Sequence, residues 1–142
     1  MEPNCYKVVY RRNGYLYSCM RLFHEYPNEE LIKLRVIYRP GVRVLPKVGK
    51  LFVFDTLKNA TEFFSPFESN IEIWSAYGED LVSCQHLAYW GFLGMDTAKD
   101  FWAWIADPER GFDGDTSSVP NGTLLASSVK LLEKINPSRE LT

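Results

Sequence analysis

Tyr6-Lys7-Val8-Val9-Tyr10-Arg11-Arg12-Asn13-Gly14-Tyr15-Leu16-Tyr17-Ser18 is the stretch from which the fold reads most directly. Tyr6–Tyr10 alternates and is rich in β-branched and aromatic residues, so it reads as a strand. Tyr6, Val8 and Tyr10 fall on one face, and Lys7 and Val9 on the other. Asn13-Gly14 follows. Both residues tolerate the positive φ of a type I′ turn, which predicts a tight hairpin. Tyr15–Leu22 then returns as the second strand.

Further along, Leu51-Phe52-Val53-Phe54 is apolar on both faces, as in a central strand. Asp55-Thr56 caps a helix over Leu57–Phe64, which packs through Leu57, Ala60 and Phe63. Ser65-Pro66 ends it. Ile71–Tyr77 alternates as a strand, Gly78-Glu79-Asp80 turns, and Leu81–Cys84 pairs back. Between these landmarks, Asn28 caps a short helix through Lys33. Leu34–Tyr38 is extended, Arg39-Pro40-Gly41 ends it, and Val42–Leu45 is extended again. Asp96 or Thr97 caps a helix with Ala98, Phe101, Trp102 and Ile105 on one face. Arg110–Ser118 reads as a loop, Pro120–Thr123 as a turn, and Leu124–Ile135 as one or two closing strands. The pattern predicts an α+β fold: a mixed, mainly antiparallel sheet with two or three short helices. Residues 1–142 read as a single domain.

The bulk composition fits that expectation. The chain has 142 residues, 46% hydrophobic and 24% charged, enough for a core without covalent staples. Three cysteines, Cys5, Cys19 and Cys84, show no paired spacing, so they read as free thiols of a reducing compartment. No apolar run has the length of a signal peptide or a membrane span, which points to a cytoplasmic protein that does not bind membranes. The net charge of −2 hides an asymmetry. Residues 1–50 carry ten Lys/Arg and four Asp/Glu, whereas residues 51–142 carry six and fourteen.

Pro46-Lys47-x-Gly49-Lys50-Leu51-Phe52-Val53-Phe54-Asp55-Thr56-Leu57-x-Asn59-Ala60-x-x-Phe63, followed by Glu72-Ile73-Trp74, resembles a family of small uncharacterised proteins of phage and other viruses. The opening Tyr6–Val9, the segment Leu16–Ser18 and the late stretch Gly122–Ala126 share that resemblance, which covers about half of the chain. It implies a viral protein in the host cell cytosol and carries no activity with it. Residues 85–118 have no counterpart in it and read as a family-specific insertion. The order strand, capped short helix, strand over Leu51–Tyr77 is also similar in outline to ADP-ribosyltransferase-type folds, in which Glu72 is the nominal match for a catalytic acid.

Motif chemistry narrows the function. No phosphate-binding Gly-rich loop, nucleophile elbow or zinc-protease motif occurs. Cys84 and His86 lack an orienting acid for nucleophilic work. Asp113-Gly114-Asp115-Thr116 lacks the later Glu of a calcium loop. The sequence therefore implies no catalytic residue, no metal and no cofactor. The slightly acidic total argues against duplex nucleic acid as a partner. The strongest signal is the interleaving of Arg11, Arg12, Arg21, Arg35, Arg39 and Arg43 with Tyr15, Tyr17, Phe23, Tyr26 and Tyr38 in the basic half, of which Arg11, Arg12, Tyr17, Arg35, Tyr38, Arg39 and Arg43 are the expected ligand-binding residues. Guanidinium forks match phosphate geometry and aromatic faces stack on bases. The expectation is a non-enzymatic module that holds a small, phosphate-bearing, nucleotide-like ligand or an acidic protein surface. By analogy it could sequester a host defence signal. Two alternatives stand beside it. One is an ADP-ribosyltransferase-like enzyme using Glu72. The other is an assembly protein in which Trp90, Trp102 and Trp104 form an exposed patch for a second copy of the chain.

Overall fold

A computed structural model describes residues 1–18, 36–47, 49–63, 70–84, 86–88, 95–111 and 116–136. The expected helix after Asn28, the positions of Arg35 and Trp90, and the second half of the expected strand Tyr15–Leu22 lie outside the described residues.

The opening hairpin forms as the sequence predicts. Strand β1 (Cys5–Arg12) pairs antiparallel with β2 (Tyr15–Ser18), Arg12 lying opposite Tyr15. Asn13 and Gly14 take φ of 51° and 82°, the positive values of the I′ turn. Strand β3 (Ile37–Tyr38) pairs with β2. The chain then reverses at Pro40-Gly41, where the Val42 amide donates to the Arg39 carbonyl, and β4 (Arg43–Val44) pairs with the far end of the sheet. Strand β5 (Leu51–Phe54) is interior to the sheet, as expected, between β1 and β10 (Thr123–Ala126). Strand β6 (Ile71–Glu79) lies on the other side of β1. It runs through Gly78 and Glu79, and the reversal falls at Asp80 (φ 52°) because Gly78 keeps its ladder position opposite Val129. Strand β7 (Val82–Ser83) does not fold back on β6 but pairs with β10.

Strand β11 (Ser128–Ile135) decides the architecture. It follows β10 after the single residue Ser127, yet β10 pairs with β5 while β11 pairs with β6. Since β5 and β6 both flank β1, the pairings β1–β5–β10/β11–β6–β1 form a ring. The nine-stranded sheet is thus curled on itself, and every described pairing is antiparallel.

Two cores follow from strand alternation. Cys5, Val9, Leu51, Val53, Trp74, Ala76, Ala126, Val129 and Leu131 point into the ring. Val8, Phe54 and Ile73 point outward and are covered by helix α1 (Leu57–Phe63) through Ala60 and Leu57. The Thr56 hydroxyl accepts from the Asn59 amide, the cap expected for this helix. The stretches that carry the resemblance meet here: β5 pairs with β10, and the Asp55 amide donates to the Gly122 carbonyl.

Phe63 departs from the expected core. It packs on Phe54 with ring centroids 5.3 Å apart but is 41% exposed, because the helix rotates Ala60 and Thr61 onto the sheet instead. The 85–118 stretch holds helix α2 (Met95–Ala106) and a two-stranded sheet of β8 (His86–Ala88) and β9 (Thr116–Ser118). Strand β9 occupies part of the region read as a loop, since its Ser and Thr residues find ladder partners in β8. Trp102 of α2 lies on Phe52, centroids 5.5 Å apart, and over Gly49, where any side chain would collide with the indole.

Leu131, fully buried inside the ring, and Phe63, at its rim, should separate in stability measurements. Leu131→Ala should cost about 2–5 kcal/mol and Phe63→Ala about 1 kcal/mol by chemical denaturation. Equal costs would show that the helix, not the ring interior, carries the core.

Candidate functional site

The seven arginine and tyrosine positions expected to form one site separate into distinct environments, and strand register explains each. Arg11 and Arg12 are neighbours on β1, so their side chains leave opposite faces. Arg11 turns to the ring side. Its Nε donates to Glu72 Oε2 at 2.5 Å and its Nη2 to Glu72 Oε1 at 3.1 Å. Glu72 also accepts from the Trp74 indole at 3.0 Å, and Lys134 Nζ lies 3.9 Å away. Glu72 is only 8% exposed. Burial pushes its pKa up, but the hydrogen bonds from Arg11 and Trp74 and the charge of Lys134 outweigh it and hold the carboxyl below its ordinary value. The residue matched nominally to a catalytic acid is therefore an ionised carboxylate held by a bidentate fork.

Tyr38 is not a surface ring. It alternates inward with Leu16 and is 2% exposed in the ring-side core. Lys7 lies on the same side. Sequence reading sets Lys7 only on the strand's second face, yet it is 6% exposed, donates to the Phe52 carbonyl at 2.6 Å and stands 5.4 Å from the Tyr38 ring centroid. Burial pushes the Tyr38 phenol's pKa up, and Ser18 only partly offsets it. Cys5 completes this interior group. Burial raises its thiol to about 11, with Lys7 opposing. Cys5 is a free thiol.

Arg43 belongs to a third place. Its Nε donates to Glu79 Oε1 at 2.5 Å on an exposed edge, and Ser128 donates to the same oxygen. Arg11 and Arg43 are thus tied to Glu72 and Glu79, the two ends of one strand. Seven residues at about 3.3 Å each put them roughly 23 Å apart, so no small ligand spans both.

The remaining positions do converge. Arg12 lies opposite Tyr15 across β1 and β2. The β2–β3 register pairs Leu16 with Tyr38, and Arg39 follows directly after β3. Arg12 and Tyr15 are thus a cross-strand pair on the outer face, with Arg39 next to the end of β3. All three are exposed, Tyr15 at 52%. The next row on that face is Tyr10, Tyr17 and Ile37. The Tyr15 and Tyr17 rings lie 6.4 Å apart at 51°. Among the described residues neither Arg12 nor Arg39 makes an ion pair. Tyr15 joins Arg12, and Tyr10 joins Tyr17, through the register that the two-residue Asn13-Gly14 turn sets.

Trp102 and Trp104 are half-buried, and Trp102 is committed to Phe52 and Gly49 of its own chain rather than to an open patch. Among the described residues no cluster of His, Cys, Asp and Glu could hold a metal, and no helix is long and apolar enough to cross a membrane. The chain matches no protein-family model, no curated protein and no solved structure.

The Glu72 fork makes stability depend on pH with a definite sign. A carboxylate whose folded pKa lies below its ordinary 4.5 stabilises the fold above that pH, and the contribution is lost as pH falls through the lowered value. Glu72→Gln should flatten the decline in melting temperature between about pH 5 and about pH 3. Parallel curves for the two proteins would show that the fork contributes nothing.

Proposed function

We propose that this protein is a non-enzymatic binding module whose outer sheet face, at the open end of the β1–β2–β3 ribbon, takes a nucleotide-like, phosphate-bearing ligand. The observation that carries the reading is the exposed Tyr15 paired across the hairpin with exposed Arg12, with exposed Arg39 just after β3; among the described residues neither arginine makes an ion pair. A base stacks on a tyrosine face, and such stacking contributes about 1–3 kcal/mol. A guanidinium grips phosphate through parallel N–H donors. Both chemistries lie within one patch. Of the seven expected residues this reading keeps Arg12, Tyr17 and Arg39 and adds Tyr10 and Tyr15. Arg11 and Arg43 are bound to carboxylates, Tyr38 faces the interior, and Arg35 lies outside the described residues.

Catalysis through Glu72 is the weaker reading, because its carboxylate is engaged by Arg11 and Trp74.

Binding of adenosine and uridine 5′-phosphates, followed by calorimetry, tests the proposal. Arg12→Ala and Arg39→Ala should each weaken binding roughly ten- to hundredfold, the worth of one charge-assisted contact, with melting temperature unchanged because both side chains are exposed. Arg43→Ala should leave affinity as it is. Absence of binding, or equal loss in all three variants, would refute the site.

A further inference from the structure

We propose that Asn13 is a site of spontaneous modification, at which the hairpin turn loses a side-chain amide to water and gains a carboxylate beside Arg12. The sequence holds two Asn-Gly pairs, Asn13-Gly14 and Asn121-Gly122. In such a pair the glycine nitrogen attacks the asparagine Cγ. A C–N bond forms, the Cγ–Nδ2 bond breaks, and ammonia leaves with the proton of the glycine amide. The cyclic imide then takes up one water. Opening at Cγ yields aspartate. Opening at the main-chain carbonyl yields isoaspartate, whose main chain runs through Cβ and Cγ and leaves the α-carboxylate as a side group. Glycine permits the attack because no Cβ obstructs ring closure and its backbone rotates most freely.

The fold separates the two pairs. Asn13 and Gly14 are both exposed, and a Cβ added at Gly14 would meet nothing within 4 Å. Asn121 is exposed as well, but Gly122 is clamped. Its carbonyl accepts from the Asp55 amide at 2.9 Å, and a Cβ there would overlap the Asp55 carboxylate and the Asn59 side-chain amide. The Thr123 amide and hydroxyl both donate to the Pro120 carbonyl, at 3.2 and 2.7 Å. Ring closure at Asn121 must break these contacts, whereas at Asn13 it disturbs only the turn itself.

The consequence for ligand rests on the binding reading above. Arg12 and Tyr15 are paired across this turn. Aspartate is accepted at the first position of a type I′ turn, where Asn13 has φ 51°, so that product keeps the hairpin and sets a negative charge one residue from Arg12. Isoaspartate adds a main-chain carbon to a two-residue turn, which then no longer holds Arg12 opposite Tyr15. Either product opposes an anionic ligand.

The test incubates the full chain in mildly alkaline buffer, with and without denaturant, and follows both asparagines by peptide mapping in a mass spectrometer. Asn13 should convert in the folded protein while Asn121 keeps its amide, and both should convert in denaturant. Equal conversion of the two in the folded protein, or retention of both amides there, would overturn the modification site. Calorimetry with adenosine 5′-monophosphate reads the consequence. Asn13→Asp should weaken binding roughly two- to fivefold, the effect of one charge several ångströms away in water. Asn13→Gly keeps the I′ turn without the amide and should bind as the unmodified protein does. Unchanged affinity in Asn13→Asp, or equal loss in Asn13→Gly, would overturn the charge effect. Absence of binding by the unmodified protein, with Asn13 still converting, would overturn the binding reading and leave the modification site standing.

Discussion

The fold depends on the bend at Ser127. Residues 123–135 are one continuous extended run, yet its halves serve different neighbours, β5 before the bend and β6 after it. The bend is held where it must be. The Ser127 amide donates to the Glu79 carbonyl at 2.9 Å, the Ser127 hydroxyl to Asp80 at 2.7 Å, and the Ser128 hydroxyl to Glu79 Oε1 at 2.7 Å. Three polar contacts thus fix the end of β6 against the corner of β10 and β11. That corner links the β5 side of the sheet to its β6 side, while β4 and β7 remain its edge strands.

Closure dictates where function can reside. A ring of so few strands is filled by its own side chains. Val9, Val53, Val129 and Leu131 have no exposed surface at all. The interior nevertheless admits Lys7, whose ammonium is satisfied by the Phe52 carbonyl and the Tyr38 ring, in keeping with the rule that a buried charge must find partners. At the end of the ring, Glu72 gathers Arg11, Trp74 and Lys134 in the same manner. These polar groups are consumed in holding the ring. The outer face of the β1–β2 hairpin carries the exposed Arg12 and Tyr15.

Local signals in the sequence were sufficient for the elements they govern. Asn13-Gly14 specified the hairpin, Leu51–Phe54 the interior strand, and Thr56 the helix cap, because each depends on neighbouring residues only. The long-range pairings were not legible. Nothing in Leu81–Cys84 says that it joins β10, and nothing between Thr123 and Ile135 says that one run changes partner at Ser127. The expected site residues separate for a physical reason. Arginines were grouped by composition, but alternation sends Arg11 and Arg12 to opposite faces, and Glu72 and Glu79 each claim one guanidinium from a distant strand. Tyr15 stood among the interleaved aromatics but not among the expected ligand-binding residues, although the two-residue turn pairs it with Arg12. Lys7 was placed on a face without a hint that the face was closed.

Amide and tyrosine-ring NMR shifts of the protein titrated with adenosine 5′-monophosphate address the central claim most directly, because they locate the contact rather than its strength. The account predicts that the largest changes fall on Arg12, Tyr15, Tyr17 and Arg39, with Arg43 and Glu79 at the far end of β6 unmoved. Changes centred on Arg43 and Glu79, or on the interior group of Lys7 and Tyr38, would contradict it.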